Sequence, residues 1–206
     1  MSTLIRRLVY LAMGILGGLA VWPVLELMLV LQGRFPTYLS FSLVSGALFG
    51  AVMGAFFGAI DGMVAGTVRR VLTGALFGIA IGAVGGAVGF VIGQALLFVA
   101  GDLDRIGIGV ARALGWAVLG AFVGVSEGIR RRSSRRAGVG LIGGFVGGLL
   151  GGVAIEFIPR VMPIEYARPF AIVLYGALVT GTYSLIERRH TAGVLRLLNG
   201  LYKGKE

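Results

Sequence analysis

The chain has 206 residues, of which 57% are hydrophobic and 14% charged, and its mean hydropathy is +0.93. A soluble domain is nearer to about 45–50% apolar and about 25% charged residues. A chain of this length with so few polar residues cannot cover a water-facing surface, which excludes an ordinary soluble domain and favours a lipid-facing one. The sequence has no cysteine and one histidine, His190, which excludes disulfides, thiolate chemistry and an imidazole metal cluster.

The net charge of +10 raises the question of a nucleic-acid partner. The basic runs have no aromatic stacking platforms beside them, so we expect no nucleic-acid binding. In an apolar chain the excess of arginine is better explained by positive-inside topology and by contact with the anionic lipid headgroups of the membrane.

Six apolar runs follow one another along the chain, and each is long enough to cross a bilayer, which takes about 17–25 mostly apolar residues. The predicted spans are approximately Leu8–Leu31, Tyr38–Ile60, Val71–Ala100, Ile106–Ser126, Gly138–Ile158 and Phe170–Ile186. Pro23 predicts a kink in the first span near Trp22. The predicted fold is therefore an all-α, polytopic membrane protein, with residues 1–190 as its six-span transmembrane domain.

The segments between the spans differ in charge. With the amino terminus placed in the cytoplasm, the cytoplasmic segments carry 14 of the 19 basic residues, and the opposite side carries five. This bias predicts that both termini lie in the cytoplasm. Residues 61–70 and 127–137 are then the cytoplasmic loops, residues 101–105 are a tight acidic turn outside, and residues 159–169 are an outer loop with three prolines.

The last residues, 191–206, are predicted to be a cytoplasmic tail at the membrane interface. Within it, Val194, Leu197, Leu198 and Leu201 share one face of a short amphipathic helix. Such a helix lies on the membrane surface with its apolar side in the lipid.

Glycine recurs at every fourth residue of the third span, GALFGIAIGAVGGAVGFVIG over residues 74–93. Residues four apart share one face of a helix, so two glycine stripes run along it. In water each helical glycine costs about 1 kcal/mol relative to alanine. In a bilayer small residues let neighbouring helix backbones approach closely, so we predict glycine-zipper packing between the spans. The predicted packing residues are Gly14, Gly18, Gly54, Gly58, Gly74, Gly78, Gly82, Gly86, Gly120, Gly124, Gly140, Gly144, Gly148 and Gly152.

An internal repeat has an offset of 66 residues. Residues 54–62 are GAFFGAIDG and residues 120–128 are GAFVGVSEG, and the same offset places Arg69 and Arg70 on Arg135 and Arg136. This match predicts two hairpin copies at about 38–100 and 106–158. A weaker match at an offset of 130 suggests a third copy split between 1–31 and 170–190. The hypothesis is three hairpins around a pseudo-threefold axis, with the first and sixth spans adjacent.

Acidic residues lie at both ends of the predicted spans. Asp61, Glu127 and Glu187 end the even spans, and arginines follow each of them. An acid is disfavoured at a helix C-terminus, so the main interpretation is a compensating salt bridge, and the alternative is an acidic ring at a cation entrance. Glu26 and Glu156 lie towards the outer ends of the odd spans. They either reach water at the interface, or form a protonated hydrogen bond between helices, or bind an ion or proton.

Five arginines, Arg130, Arg131, Arg132, Arg135 and Arg136, form the most basic run of the chain. The main interpretation is an anchor on anionic lipid headgroups, and the alternative is a docking site for an acidic soluble partner.

The run from Gly115 to Phe157, GWAVLGAFVGVSEGIRRRSSRRAGVGLIGGFVGGLLGGVAIEF, resembles the glycine-repeat membrane modules that accompany forkhead-associated domains in some bacterial proteins. The resemblance implies a bacterial membrane module without an assigned activity, and with the predicted topology it implies a multi-pass protein of the bacterial cytoplasmic (inner) membrane. It carries over no functional residue, and the sequence has no forkhead-associated domain.

The sequence contains no metal-ligand cluster and no Ser–His–Asp constellation, so we expect no enzyme and no cofactor. The predicted function is a non-enzymatic membrane packing or scaffold subunit, which forms homo-oligomers or joins other membrane subunits through glycine-lined faces. The alternatives are a small cation channel or transporter along the pseudo-axis and a lipid-binding protein that shapes the membrane.

Overall fold

A computed structural model describes residues 3–99 and 105–202, and the side chains of residues 4–99 and 106–187. The described chain is all-α, as predicted. Its helices are α1 (Thr3–Leu31), α2 (Tyr38–Val64), α3 (Val68–Val99), α4 (Arg105–Arg130), α5 (Ser134–Phe157) and α6 (Ile164–Tyr202). Short 3-10 turns follow α1 at Gln32–Arg34 and α5 at Ile158–Arg160. All six helices are long and apolar enough to cross a membrane, which indicates a multi-pass membrane protein.

The charged connections are shorter than the sequence suggests, because the helices continue into them. α2 includes Asp61 in its last turn, and only residues 65–67 separate it from α3. α4 includes Glu127, and residues 131–133 lead into α5, where the Ser133 hydroxyl accepts a hydrogen bond from the Arg136 amide. α6 also begins earlier than predicted, so that Pro169 lies inside the helix. Asp61 and Glu127 therefore lie in the last turns of helices, while Arg131 and Arg132 lie in a short connection. Glu187, predicted to end the sixth span, lies inside α6, because that helix continues to Tyr202.

Two predicted segments fall wholly or partly outside the description. The acidic turn is described only at residue 105, and the side chains of the amphipathic tail lie outside the described residues. The backbone of α6 continues as one helix to Tyr202.

The six helices form a closed ring in chain order. Each packs antiparallel against its neighbours in the chain, and α6 returns to pack against α1. Among neighbours in the ring, the most extensive interfaces are those of α2 with α3 and of α4 with α5, and the least extensive is that of α1 with α2. α2 and α4 also touch across the ring and are the most buried helices, whereas α3 is the most exposed.

Aromatic side chains fill the axis of the ring. Phe49 packs against Trp116 and Tyr175, and Phe57 packs edge-on against Tyr183 at a ring-centre distance of 5.0 Å. The buried Tyr175 hydroxyl donates a hydrogen bond of 3.0 Å to the backbone carbonyl of Trp116. These rings lie between the two ends of the bundle and close its centre.

Large apolar side chains cover the outside of the odd helices. Leu72, Leu76 and Val84 of α3 and Leu141 and Leu150 of α5 are exposed, while the glycines on the same helices are buried. α3 and α5 are therefore two-faced: bulky apolar residues on the outside suit contact with acyl chains, and the inner faces are smooth.

Glycine lies where the helices approach most closely. Four antiparallel interfaces have facing glycines whose added Cβ atoms would lie less than 3.0 Å from the opposite backbone. The facing pairs are Gly50–Gly82, Gly54–Gly78 and Gly58–Gly74 between α2 and α3, Gly89–Gly115 between α3 and α4, Gly120–Gly144 and Gly124–Gly140 between α4 and α5, and Gly14–Gly176 between α1 and α6. Gly86 faces Gly46, Gly18 faces Val173, and Gly148 and Gly152 face Trp116. Every glycine that the sequence singles out for packing is thus buried against another helix of the same chain.

The second stripe of α3 is also covered within the chain. Gly85 and Gly89 lie against Phe122 and Gly115 of α4. On α5, Gly143 and Gly147 lie against Tyr183 and Val179 of α6. The smooth faces of α3 and α5 are therefore used by neighbouring helices of the same molecule.

We expect Gly54→Ala to destabilise the protein although alanine is the better helix former. The added Cβ overlaps the backbone of Gly78, and overpacking of this kind costs about 1–3 kcal/mol. Thermal unfolding in a mild detergent, followed by tryptophan fluorescence, measures the change. Gly181→Ala is the matched control, because a Cβ added at Gly181 meets no described atom within 4 Å. Alanine has a higher helix propensity than glycine by about 1 kcal/mol, so this substitution should raise stability or leave it unchanged. Equal effects of the two substitutions would contradict close backbone contact at Gly54.

Candidate functional site

The two ends of the bundle differ in chemistry. At the arginine-rich end, defined by Arg6, Arg69–Arg70 and Arg130–Arg136, α1, α3 and α5 begin and α2 and α4 end. At the opposite end, which we call the cavity end, α1, α3 and α5 finish near a cavity lined in part by Arg112 and Glu156. The arginine-rich end contains three of the acids that the sequence singles out, and the cavity end contains two.

Asp61 and Glu127 meet at the arginine-rich end, where the last turns of α2 and α4 come together. Arg130 donates hydrogen bonds of 2.9 Å and 2.8 Å to Glu127 and one of 3.1 Å to Asp61. Arg131 donates to the same two carboxylates. Two acids and two arginines therefore form one neutral cluster, in which each arginine bridges both helices.

The cluster is buried enough for its charges to matter. The Glu127 side chain is 8% exposed, and those of Asp61 and Arg130 are 18% exposed. Partial burial lowers the pKa of Arg131, but hydrogen bonds to Glu127 and Asp61 more than offset this, so the pKa lies above its ordinary value. The guanidinium therefore stays charged and satisfies the acids, which is the arrangement that a helix C-terminal acid requires.

Glu187, the third acid at this end, has its own arginine on another helix. Arg6 of α1 donates to it at 2.7 Å, and the Arg6 guanidinium lies 5.8 Å from the centre of the Tyr10 ring. Tyr10 in turn stacks on Tyr183 at 5.5 Å. Asp61 and Glu127 are thus brought together, while Glu187 belongs to a separate contact between α1 and α6.

The arginine run of residues 130–136 divides into two groups. Arg130 and Arg131 are engaged with the acids, whereas Arg132 is exposed at the surface of this end, as are Arg69 and Arg70. The sequence predicted a salt bridge between the acids at the helix ends and arginines of the same loop or the next helix, and Glu127 pairs with Arg130 and Arg131 of its own loop. It did not predict that the same two arginines also reach Asp61 on another helix.

Glu26 and Glu156 have different surroundings at the cavity end. Glu26 accepts from Arg168 at 3.1 Å and from the Trp22 indole at 3.3 Å, and its side chain is 39% exposed. Glu156 is only 14% exposed, and its carboxylate accepts from the Trp116 indole at 3.3 Å. Glu156 is the acid that lines the cavity.

The cavity has a volume of about 210 Å³ and is lined by side chains of five helices. Its apolar lining residues are Leu25, Met28, Leu29, Phe41, Phe90 and Trp116. Its other lining residues are Tyr38, Ser42, Ser45, Gly89, Gly93, Gln94, Arg112, Gly115 and Glu156. Such a mixture of aromatic walls with a few converging polar groups is typical of a small-molecule or cofactor-sized site.

Ser45 is the most unusual residue of this cavity. Its side chain is 2% exposed, and its hydroxyl has no hydrogen-bond partner among the described residues. A buried hydroxyl left without a partner costs about 1–3 kcal/mol, so native proteins rarely retain one without a reason. Sequence reasoning missed Ser45, Trp116 and Arg112, because only the convergence of helices that are far apart in sequence brings them together.

We expect Glu127→Gln to destabilise the protein by about 3 kcal/mol, because it leaves two partly buried arginines with one carboxylate. Glu26→Gln is the matched control: its ion pair with Arg168 is far more exposed, and such pairs contribute about 0–1 kcal/mol. Chemical denaturation in detergent micelles measures both changes. A Glu127→Gln protein as stable as the Glu26→Gln protein would show that the cluster contributes little to the fold.

A scan against protein-family models gave no match, and neither did searches of the curated proteins and of the solved structures. The similarity of residues 115–157 to glycine-repeat membrane modules therefore stays a resemblance of sequence, and the function is argued from geometry alone.

Proposed function

We propose that the protein is a non-enzymatic packing subunit of the bacterial cytoplasmic membrane, a rigid six-helix module built by glycine-zipper contacts. The observation that carries this proposal is the burial of both glycine stripes of α3 against α2 and α4. A helix whose two smooth faces are both covered is held on two sides by backbone contact, which leaves it little freedom to move. A rigid module of this kind serves as a fixed element within the membrane.

The contacts between helices support the proposed repeat. Gly54–Gly78 and Gly58–Gly74 become Gly120–Gly144 and Gly124–Gly140 when 66 is added to each number, and both members of each pair are in contact. The same offset relates Gly66 and Arg132, whose φ angles are 63° and 51°. The contact of α1 with α6 supplies the adjacency that the pseudo-threefold hypothesis needs. We infer three hairpins of common origin, the third formed by the two ends of the chain.

The burial of the glycines changes the proposed route to association. Sequence reasoning assigned self-association to glycine faces left uncovered by the chain, but both stripes of α3 are covered within it. Contacts with further copies or with other membrane subunits therefore involve the exposed arginine-rich end or the bulky lipid-facing residues. Placing this end in the cytoplasm follows from the 14 of 19 basic residues on that side.

The arginine-rich end favours a second role, the binding of anionic lipid. Arg69, Arg70 and Arg132 are exposed there, next to helix ends that lie at the membrane interface. A basic residue near an anionic leaflet contributes about 1 kcal/mol of attraction. We therefore propose that these arginines fix the depth and orientation of the module through headgroup contacts.

The geometry does not favour a cation channel. Asp61, Glu127 and Glu187 each have an arginine partner within the described residues, which cancels the charge that would attract a cation. The axis between the two ends is filled by aromatic side chains such as Phe49 and Tyr183. Cation flux into liposomes containing the unmodified protein would overturn this view.

We expect Gly82→Leu to abolish folding of the single chain, because the side chain has to enter the space held by the backbone of Gly50. The measurement is recovery in mild detergent with size-exclusion chromatography and mass determination. Leu76→Ala, on the exposed side of the same helix, is the control and should give a folded protein. A folded Gly82→Leu protein of lower mass than the unmodified one would instead place the glycine faces between copies.

We expect the triple variant Arg69→Gln, Arg70→Gln, Arg132→Gln to bind anionic lipid at least about tenfold more weakly. Each arginine contributes about 1 kcal/mol of attraction, so the three substitutions remove about 3 kcal/mol of binding free energy before screening by salt. A tenfold change in affinity corresponds to about 1.4 kcal/mol, so the expected loss exceeds it. Native mass spectrometry with phosphatidylglycerol measures retention, and Arg168→Gln at the cavity end is the control. Unchanged retention in the triple variant would refute the headgroup role.

A further inference from the structure

We propose that the cavity binds the headgroup of an aminophospholipid from the leaflet at the cavity end, with the ammonium group on Glu156 and the phosphate on Arg112. This inference concerns the opposite end of the molecule from the anionic-lipid contacts and does not depend on them. It begins from the two charges that the cavity holds side by side.

Arg112 and Glu156 form a loose pair. Arg112 Nη1 lies 3.6 Å from Glu156 Oε2, which counts as an ion pair but is too long for a hydrogen bond. The Arg112 side chain is 43% exposed, whereas Glu156 is largely buried. A guanidinium at the entrance and a carboxylate further inside match a ligand that carries an anion and a cation a few atoms apart. A phosphate joined to an ethylammonium group has this pattern of charges.

The other polar groups of the cavity supply hydrogen bonds to the same ligand. The Ser45 hydroxyl is buried without a partner among the described residues, and Gln94 contributes an amide to the same lining. An ammonium group has three donors, so besides Glu156 it can donate to other acceptors of the lining, such as the Ser45 hydroxyl and the Gln94 carbonyl. A quaternary ammonium has no donor, so it leaves the Ser45 hydroxyl without a partner and adds no hydrogen bond to the one that Glu156 accepts from Trp116. The cavity therefore discriminates a primary ammonium from choline.

The size and place of the cavity suit a headgroup. Its volume is about 210 Å³, which is too small for a whole phospholipid. The α2 side chains that line it, from Tyr38 to Ser45, belong to the first turns of that helix, so the cavity lies at one end of the bundle, the level at which lipid headgroups lie.

The apolar part of the lining accepts those carbons. Leu25, Met28 and Leu29 of α1 form one side of the cavity. Leu29 is also exposed on the outside of α1. The acyl chains leave the cavity past this residue and stay in contact with the surrounding lipid.

The test is retention of defined lipids by the delipidated, full-length protein in mild detergent, measured by native mass spectrometry. The probes are phosphatidylethanolamine, phosphatidylcholine and phosphatidylglycerol with identical acyl chains. We expect phosphatidylethanolamine to bind about tenfold more tightly than phosphatidylcholine, which corresponds to one hydrogen bond between charged groups. The arginine-rich end also attracts phosphatidylglycerol, so the three lipids are compared on the Arg69→Gln, Arg70→Gln, Arg132→Gln variant as well. Equal binding of the three lipids by this variant, or its preference for phosphatidylglycerol, would overturn the proposal.

Variants separate the cavity from the rest of the cavity end. Glu156→Gln should reduce phosphatidylethanolamine binding to the level of phosphatidylcholine, and Glu26→Gln should leave it unchanged, because Glu26 does not line the cavity. If Glu156→Gln fails to fold, Ser45→Ala serves instead: it should weaken binding of the lipid yet raise the melting temperature of the lipid-free protein, since it removes an unpartnered hydroxyl. An unchanged headgroup preference in Ser45→Ala would count against the site.

Soluble phosphoethanolamine distinguishes the two sources of this headgroup chemistry. Binding of the lipid but not of the soluble compound supports a membrane lipid as the ligand. Binding of the soluble compound alone, lost in Glu156→Gln, would keep the recognition chemistry but overturn the assignment to a lipid.

Discussion

Contact between helix backbones is the constraint on which the rest of this structure depends. Where Gly54 faces Gly78, no side chain separates the two helices, and the carbonyl group of one lies against the Cα of the other. Inside lipid the hydrophobic effect does not favour helix association, so close packing and weak Cα–H···O contacts carry it. Because each glycine fits only opposite another smooth position, the same contacts fix the antiparallel register of each helix pair. Bulky side chains therefore lie in two other regions, the lipid-facing surface and the axis of the ring.

The charged end follows from that register. Close packing within each pair brings the last turns of α2 and α4 side by side, and both turns carry an acid whose charge the helix dipole disfavours. Arg130 and Arg131 satisfy both carboxylates by bridging Asp61 and Glu127.

The cavity at the other end arises where close contact between helix backbones is absent. Gly17 of α1 faces the side chains of Met53 and Phe56 instead of a helix backbone, and α1 packs least extensively on α2. The wider spacing of α1 leaves room for the cavity that its last turns line.

Much of the fold could be predicted from the sequence, because lipid imposes simple rules. Apolar length predicted six helices able to span a membrane, and all six are present. The positions of helix ends were harder to predict: charged residues suggested loops at Asp61 and Glu127, but their ion pairs let the helices continue past them. The cavity could not be predicted at all. Ser45, Arg112 and Glu156 lie on three helices and share no spacing or motif, so only the tertiary arrangement makes them neighbours.

The chemistry lies where the sequence repeat is broken. By the offsets of 66 and 130 residues, Phe90, Glu156 and Glu26 occupy matching positions of the three copies that we propose. A fully symmetric molecule would place three carboxylates around its axis, which would repel one another and need three partners. Here Glu26 is turned to the surface with Arg168, and Phe90 supplies an apolar wall, so that Glu156 alone faces the cavity. One acid with a loosely held arginine makes a directional site, whereas three would make a ring. If the repeat that we propose is present, divergence at this one position makes the cavity asymmetric without disturbing the glycine contacts between the helices.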